Sequence, residues 1–375
     1  MIEWNDRNKY KAFNSYKGLA YIDHYRKIVD WFNGAKYLPP PIEAGIDLAH
    51  ECNYRCPHCN SQRYLWINRD EIPAERRIIP LDHLKKLSDF LIQWGVKAIC
   101  FGGGGEPLIN PAVKDIIPYI ANKGIEMAME SNGSLITPEL AEILCMLKWI
   151  GISVDAGDRE TFNRIHGLSE DSDMFNQVIK NIGLLVTAKY FNKSPIDICY
   201  KVLLTPYNVH SVVDACKAAK WLGVRDFHIR PADLDRPDIV KPDRWYFFNQ
   251  VNDVFQECHE MEDENFRVFT PTHKFSPTLR GRCNFSRCWS STLLIPCCSS
   301  GSAYVCLDRR METGYELASH YPDPYNIERY WGSNTHREQL LGIDVKTACT
   351  RCTLGEYARQ IEEVVVTDNM MLNFP

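Results

Sequence analysis

Ile42, Ala44, Ile46 and Leu48 fall at every second position of the run Ile42-Glu-Ala-Gly-Ile-Asp-Leu-Ala49, the alternation of a half-buried strand. Strand-like runs of this kind stand at 44–48, 98–101, 126–129, 149–154, 197–204 and 226–229. Helical patterns separate them. In 81–94, Leu84, Leu87, Phe90, Leu91 and Trp94 repeat at helical spacing, Pro80 opens the segment and Gly95 closes it. Further helices are expected at 112–122, 138–147, 174–188, 209–222 and 244–260. Ahead of them, the first stretch reads as an amphipathic helical extension ending at Pro39-Pro40-Pro41.

Strands alternating with helices imply parallel pairing through right-handed crossovers. The fold class is α/β. A partial (β/α)6 TIM-like barrel and a doubly wound sheet satisfy the periodicity equally well.

Composition narrows the function classes. The chain has 375 residues, enough for a large α/β core and a smaller appendage. Its net charge is −5 and no Lys/Arg-rich block stands out, so the footprint of a nucleic-acid binder is missing. The first ten residues are polar and charged, without the apolar core of a signal peptide. No run approaches the about 18 apolar residues of a spanning helix. The expectation is a cytoplasmic protein without membrane contact, whose 15 cysteines are metal ligands and free thiols rather than disulfides.

The most informative of those cysteines are Cys52, Cys56 and Cys59, in Glu51-Cys-Asn-Tyr-Arg-Cys-Pro-His-Cys-Asn60. Three thiolates this close suit three irons of one cubane and leave a fourth iron open to a small molecule. Structural zinc prefers four ligands in a closed site, so a zinc knuckle or a group of free thiols is the competing reading. The strand at 44–48 feeds straight into this loop, which sets it at the carboxyl end of the strand, where open sites of α/β folds lie.

The triplet resembles the cluster-binding signature of the radical S-adenosylmethionine (SAM) superfamily. The resemblance implies a partial (β/α)6 barrel, a [4Fe–4S] cluster and SAM. Phe101-Gly-Gly-Gly-Gly-Glu-Pro107 follows the second strand and is similar to the family's Gly-Gly-Glu loop for the SAM amino group, on Gly104, Gly105 and Glu106. Ser131-Asn132-Gly133 looks like the Thr-Asn-Gly turn after strand three. Ser153-Val154-Asp155 resembles the Ser-x-Asp that meets the ribose side. On residues alone each is also a common turn composition. At the sixth strand Arg230 reaches the barrel mouth, to meet a carboxylate or the adenosine or to form a surface ion pair. Glu130, Tyr200 and Lys201 also come from strand ends.

A second set follows: Cys283, Cys288, Cys297, Cys298, Cys306, Cys349 and Cys352. Cys349-x2-Cys352 is a metal-ligand pair, and a hairpin of the β-like runs at 293–295 and 303–305 would bring Cys288 and Cys306 beside it. This resembles the twitch domain, a shortened SPASM domain with one auxiliary [4Fe–4S] cluster, ligated here by Cys288, Cys306, Cys349 and Cys352. Cys283, Cys297 and Cys298 are then free thiols packed nearby, a substitute for Cys288, or a hydrogen donor. A zinc ribbon is the other reading of this set. The expected division is 1–41 as helical extension, 42–270 as core and 271–375 as the auxiliary-cluster domain.

What the resemblance implies is a net oxidation of a polar, sugar- or cyclitol-like small molecule, with a flavodoxin or ferredoxin as reductant and a second cluster as electron acceptor. Peptide maturation is one rival; residues 1–41 are short for a leader-peptide-binding domain ahead of the core. Redox-neutral epimerisation or dehydration of a sugar is another. An iron–sulfur carrier or scaffold, the non-enzymatic alternative, has no use for the glycine loop.

Overall fold

The computed structural model describes residues 15–61, 65–66, 69–232, 244–270, 285–349 and 352–366. Strands β1 (Glu43–Ile46), β2 (Ala98–Phe101), β3 (Glu126–Ser131), β4 (Trp149–Ser153), β5 (Asp197–Leu204), β6 (Asp226–Pro231) and β7 (Arg267–Phe269) lie side by side in chain order, all parallel. Crossovers between them carry the helices. After α1 (Ile22–Phe32) come α2 (Leu81–Trp94), α3 (Val113–Ala121), α4 (Pro138–Leu144), α5 (Arg159–His166), α6 (Met174–Phe191), α7 (Val212–Trp221) and α8 (Arg244–His259).

Local chemistry sets the helix ends. Gly95 closes α2 at φ 110, a left-handed turn that a side chain would strain. Thr137 caps α4 by accepting Leu140 N–H at 3.2 Å, and Asp158 caps α5 from Thr161 N–H at 2.8 Å. Leu84, Leu87, Phe90 and Leu91 of α2 meet Ile99 and Phe101 of β2 in one buried core.

The barrel is partial. Strands β8 (Leu294–Cys297), β9 (Ser302–Tyr304) and β10 (Glu316–Ser319) extend the same sheet, in the order β10-β9-β8-β1-β2-β3-β4-β5-β6-β7. The expected hairpin exists, as β8 and β9 pair antiparallel at Cys297 and Ala303. Its first strand also lies parallel to β1, from Glu43↔Leu294 to Ile46↔Cys297. The C-terminal strands therefore wall the barrel directly.

The N-terminal extension is held by the far end of the chain. Trp31 is fully buried and its indole N–H donates to the Gly332 carbonyl at 2.9 Å. In return Trp331 donates to the Pro39 carbonyl at 2.9 Å. Among the described residues no helix is long and apolar enough to cross a membrane.

Candidate active site

The loop that leaves β1 carries Cys52, Cys56 and Cys59. Backbone N–H groups point at two of their sulfurs, Tyr54 N at 3.4 Å from Cys52 Sγ and Ser61 N at 3.4 Å from Cys59 Sγ. Burial raises the Cys52 and Cys56 thiols, and each is raised further by the charge of the neighbouring cysteines. Among the described residues no three Cys, His, Asp or Glu groups converge tightly enough to grip one metal ion. N–H donors on the sulfurs suit thiolate ligation of a metal centre.

The glycine loop after β2 packs against this loop. Glu106 N–H donates to the Glu51 carbonyl at 2.8 Å. A Cβ on Gly105 would collide with the carbonyl oxygens of Ala49 (2.5 Å) and Glu51, so only glycine lets the two loops approach. Glu106 is turned inward and is 3% exposed. Its carboxylate accepts Leu108 N–H at 3.1 Å, Ser131 O–H at 2.7 Å and Asn132 N–H at 2.7 Å. Asn132 in turn donates to Asn53 at 2.8 Å, and Asn53 donates to Ser134 at 2.8 Å. The expected SAM-loop residues and the turn after β3 thus brace the cysteine loop, and Glu106 contributes its backbone, rather than its side chain, to the loop surface.

The Asp155 carboxylate lies inside the protein, 1% exposed and at positive φ (62°). It accepts Leu203 N–H at 2.6 Å, and Oδ2 lies 3.4 Å from His58 Nε2 and 3.9 Å from His166 Nε2. Burial pushes this carboxyl up, yet His58, His166 and the Leu203 N–H together hold it below the usual range. His166 continues the chain, with Nδ1 3.1 Å from Cys56 Sγ and Nε2 3.0 Å from the Val154 carbonyl. Ser153, on the partly open face of β4, has Lys201 as its register partner on β5.

The barrel mouth is charged. Lys201 hydrogen-bonds Glu130, and Arg230 Nη2 stands 3.9 Å from the other Glu130 oxygen. Gly151 of β4 lies between the two strands that carry Glu130 and Lys201, and the missing Cβ leaves the space in which they meet. Deeper, Arg267 of β7 pairs with Asp226 at 2.6 Å. His228 is buried and held well below its usual pKa, first by burial and then by Lys201, Arg230 and Arg267. Tyr200 is buried in the core, its hydroxyl donating to the Ala156 carbonyl at 2.6 Å.

Four C-terminal cysteines lie in one neighbourhood, within electrostatic reach of one another. Ser290 Oγ lies 3.4 Å from Cys352 Sγ and 3.9 Å from Cys288 Sγ. Burial raises the thiol of Cys306, as do the neighbouring charges of Asp308, Cys288 and Cys352. Burial raises Cys288 as well, and Cys349 adds to it. Cys297 and Cys298 are fully buried instead, and burial pushes both thiols up, with the neighbouring Asp47 charge adding to it. Cys283 lies outside the described residues.

Asp47, His58, His166, Asp308 and Arg310 were not foreseen. His58 alone had a local signal, its position between Cys56 and Cys59; the others are single polar residues whose partners sit far along the chain.

The model of the radical SAM superfamily matches residues 46–226. AlbA, the antilisterial bacteriocin subtilosin biosynthesis protein of Bacillus subtilis (strain 168), is 26% identical over 269 residues, 70% of this chain and 55% of AlbA. The AdoMet-dependent heme synthase of Nitratidesulfovibrio vulgaris is 28% identical over 185 residues, 49% of this chain and 46% of the synthase. The chain thus spans about half the length of these relatives. Among solved structures, Streptococcus suis SuiB bound to its precursor peptide SuiA superposes with a TM-score of 0.63 at 14% identity, covering 91% of this chain and 75% of SuiB, a likeness of fold.

Proposed function

The chain belongs to the radical SAM superfamily, and we propose that its reaction is a net two-electron oxidation of a polar substrate held over the Glu130–Lys201–Arg230 cluster. The cofactors are a SAM-binding [4Fe–4S] cluster, SAM and an auxiliary cluster. Cys52, Cys56 and Cys59 would hold the first, and Cys288, Cys306, Cys349 and Cys352 the second. When bound, these groups supply a 5′-deoxyadenosyl radical for hydrogen abstraction and, at the four-thiolate cluster, an electron acceptor. The gathering of those four thiols carries the oxidative reading: a site with four protein ligands suits electron transfer better than substrate binding.

The chain's own residues supply the rest. Arg230 and Lys201 offer N–H donors to a hydroxyl, carboxylate or phosphate of the substrate. Glu130, about a third exposed at 30%, is the proton acceptor within reach of that position. Gly104, Gly105, Ser131, Asn132 and Ser153 line the SAM side of the mouth in this reading.

The first choice of substrate is a small polyol or cyclitol-like alcohol. A peptide side chain is the second, favoured by the 70% coverage of this chain in the match to AlbA. A reductant such as flavodoxin or ferredoxin completes the system. Anaerobic reconstitution and mass spectrometry against polyols, sugars and peptides test it. A product about two mass units lighter, formed one-for-one with 5′-deoxyadenosine, is expected. An isobaric product sinks the oxidation in favour of epimerisation.

A further inference from the structure

The turn at 306–310 touches both cysteine loops at once. Asp308, two residues after Cys306, accepts Asn60 Nδ2–H at 3.4 Å with one oxygen and Thr353 O–H at 3.2 Å with the other. Asn60 follows Cys59, and Thr353 follows Cys352. At the end of the same turn Arg310, 8% exposed, enters the barrel wall. Its Nε is 3.0 Å from Asp47 Oδ2, and its Nη1 donates to the Gly103 carbonyl at 3.3 Å. Ser61 O–H donates to that carbonyl too, at 2.6 Å. Gly103 sits at φ 116, and a Cβ there would meet Arg310 Nη2 at 2.6 Å.

We infer that this turn is a clamp through which the C-terminal thiol centre controls the affinity of the glycine loop for SAM, with Arg310 as the positioning residue. The physical argument is the stiffness of a buried ion pair. Asp47 and Arg310 are both nearly enclosed, so the pair is costly to open and tolerates little displacement of either partner. Filling the site around Cys306 fixes the start of the turn, and a fixed turn fixes Arg310 against the Gly103 carbonyl. Loss of the centre frees the turn and, with it, the backbone of Gly103 and Gly104. Coupling of this kind is reciprocal, so bound SAM also stabilises the C-terminal centre. The inference rests on the assignment of the glycine loop to SAM made above.

The test is anaerobic titration calorimetry of SAM into reconstituted protein, with iron measured on every sample. Arg310→Met alone would strand the Asp47 charge, so the decisive variant is Asp47→Asn with Arg310→Met. Asparagine keeps the shape of the Asp47 side chain, and no lone charge stays buried. Its SAM Kd should rise about tenfold or more at wild-type iron content. Arg310→Lys, which keeps the charge but loses the fork to Gly103, should show a smaller rise. Cys349→Ala with Cys352→Ala should raise the Kd as much as the pair variant does, and combining the two changes should add nothing. Wild-type affinity in the pair variant, or losses that add in the combination, overturns the clamp alone. Wild-type protein that takes up no SAM overturns the loop assignment together with the clamp.

Discussion

Lys201 lies across Gly151, so closely that a Cβ on the glycine would stand 2.5 Å from Lys201 Cδ and 3.0 Å from Glu130 Oε2. Gly151→Ala therefore has to push the lysine stem aside and part it from Glu130. The expected result is a fall in turnover of about 100-fold or more, the scale of losing a positioned acid–base partner. Melting temperature should fall as well, because the nearly enclosed Lys201 loses its buried partner. Steady-state kinetics beside a thermal scan checks both halves. Unchanged turnover would remove the Glu130–Lys201 pair from the chemistry.

Gly105→Ala acts on the backbone instead. Here the obstacles are the carbonyl oxygens of Ala49 and Glu51 and the Glu51 amide nitrogen at 2.8 Å, all backbone atoms that cannot swing away. The cysteine loop must shift, at a cost of roughly 3 kcal/mol. Reconstituted protein should bind fewer irons, and a lowered melting temperature should accompany the loss. A variant that matches wild type in iron and stability would contradict the close packing of the two loops.

Iron stoichiometry separates the two thiol sets. Fully loaded protein should hold about eight irons per chain, and Cys288→Ala with Cys352→Ala about four. The same count of about four is expected when Cys52, Cys56 and Cys59 are replaced, but that variant also loses SAM cleavage. Zinc in either place, measured by elemental analysis, would replace the cluster assignment.

Acid should destabilise the protein through His83 and His320. Their rings stack 5.2 Å apart, Nε2 of His83 bonds Nδ1 of His320 at 3.0 Å, and His320 donates to the Cys298 carbonyl at 2.9 Å. Burial lowers the pKa of each to about 4, against 6.5 for the free side chain. A histidine whose folded pKa is depressed favours the fold above its unfolded value, and that stability is lost as pH falls from 6.5 toward 4. The loss is on the order of 3 kcal/mol for His320 and less for His83, whose charge is better screened by solvent. Replacing both by glutamine should flatten the dependence of melting temperature on pH in this window, and an unaltered slope would locate the acid sensitivity elsewhere.

Strands carried by strong local alternation were legible in the sequence. The run at 98–101 is β2 and that at 197–204 is β5, residue for residue, while β3 extends two residues beyond 129 to Ser131. The helix at 81–94 is α2 to the residue, bounded by its proline and glycine. β7 escaped notice because three residues, Arg267–Phe269, hold too little periodicity. The pairing of β8 with β1 is a different kind of miss. Nothing local in Leu294–Cys297 says which strand, some 250 positions earlier in the chain, it will join. At the site, the cysteine spacing and the glycine run marked the loops, because thiolate ligation and backbone approach need particular residue types. The commitments of Asp155, His58, His166 and Arg310 are three-dimensional and leave no mark at fixed spacing.

The neighbourhood of β1 also sets an order of events during synthesis. β2 is made about fifty residues after β1, but the other flank of β1 remains an unpaired edge until β8 emerges from the ribosome. Through most of translation the nascent chain carries an open strand whose first turn holds three reactive thiols. Open edges invite pairing with other chains. Early capture by a chaperone, or rapid filling of the cysteine loop, would protect such an edge. A truncation before residue 294 should therefore aggregate more readily than the full-length chain.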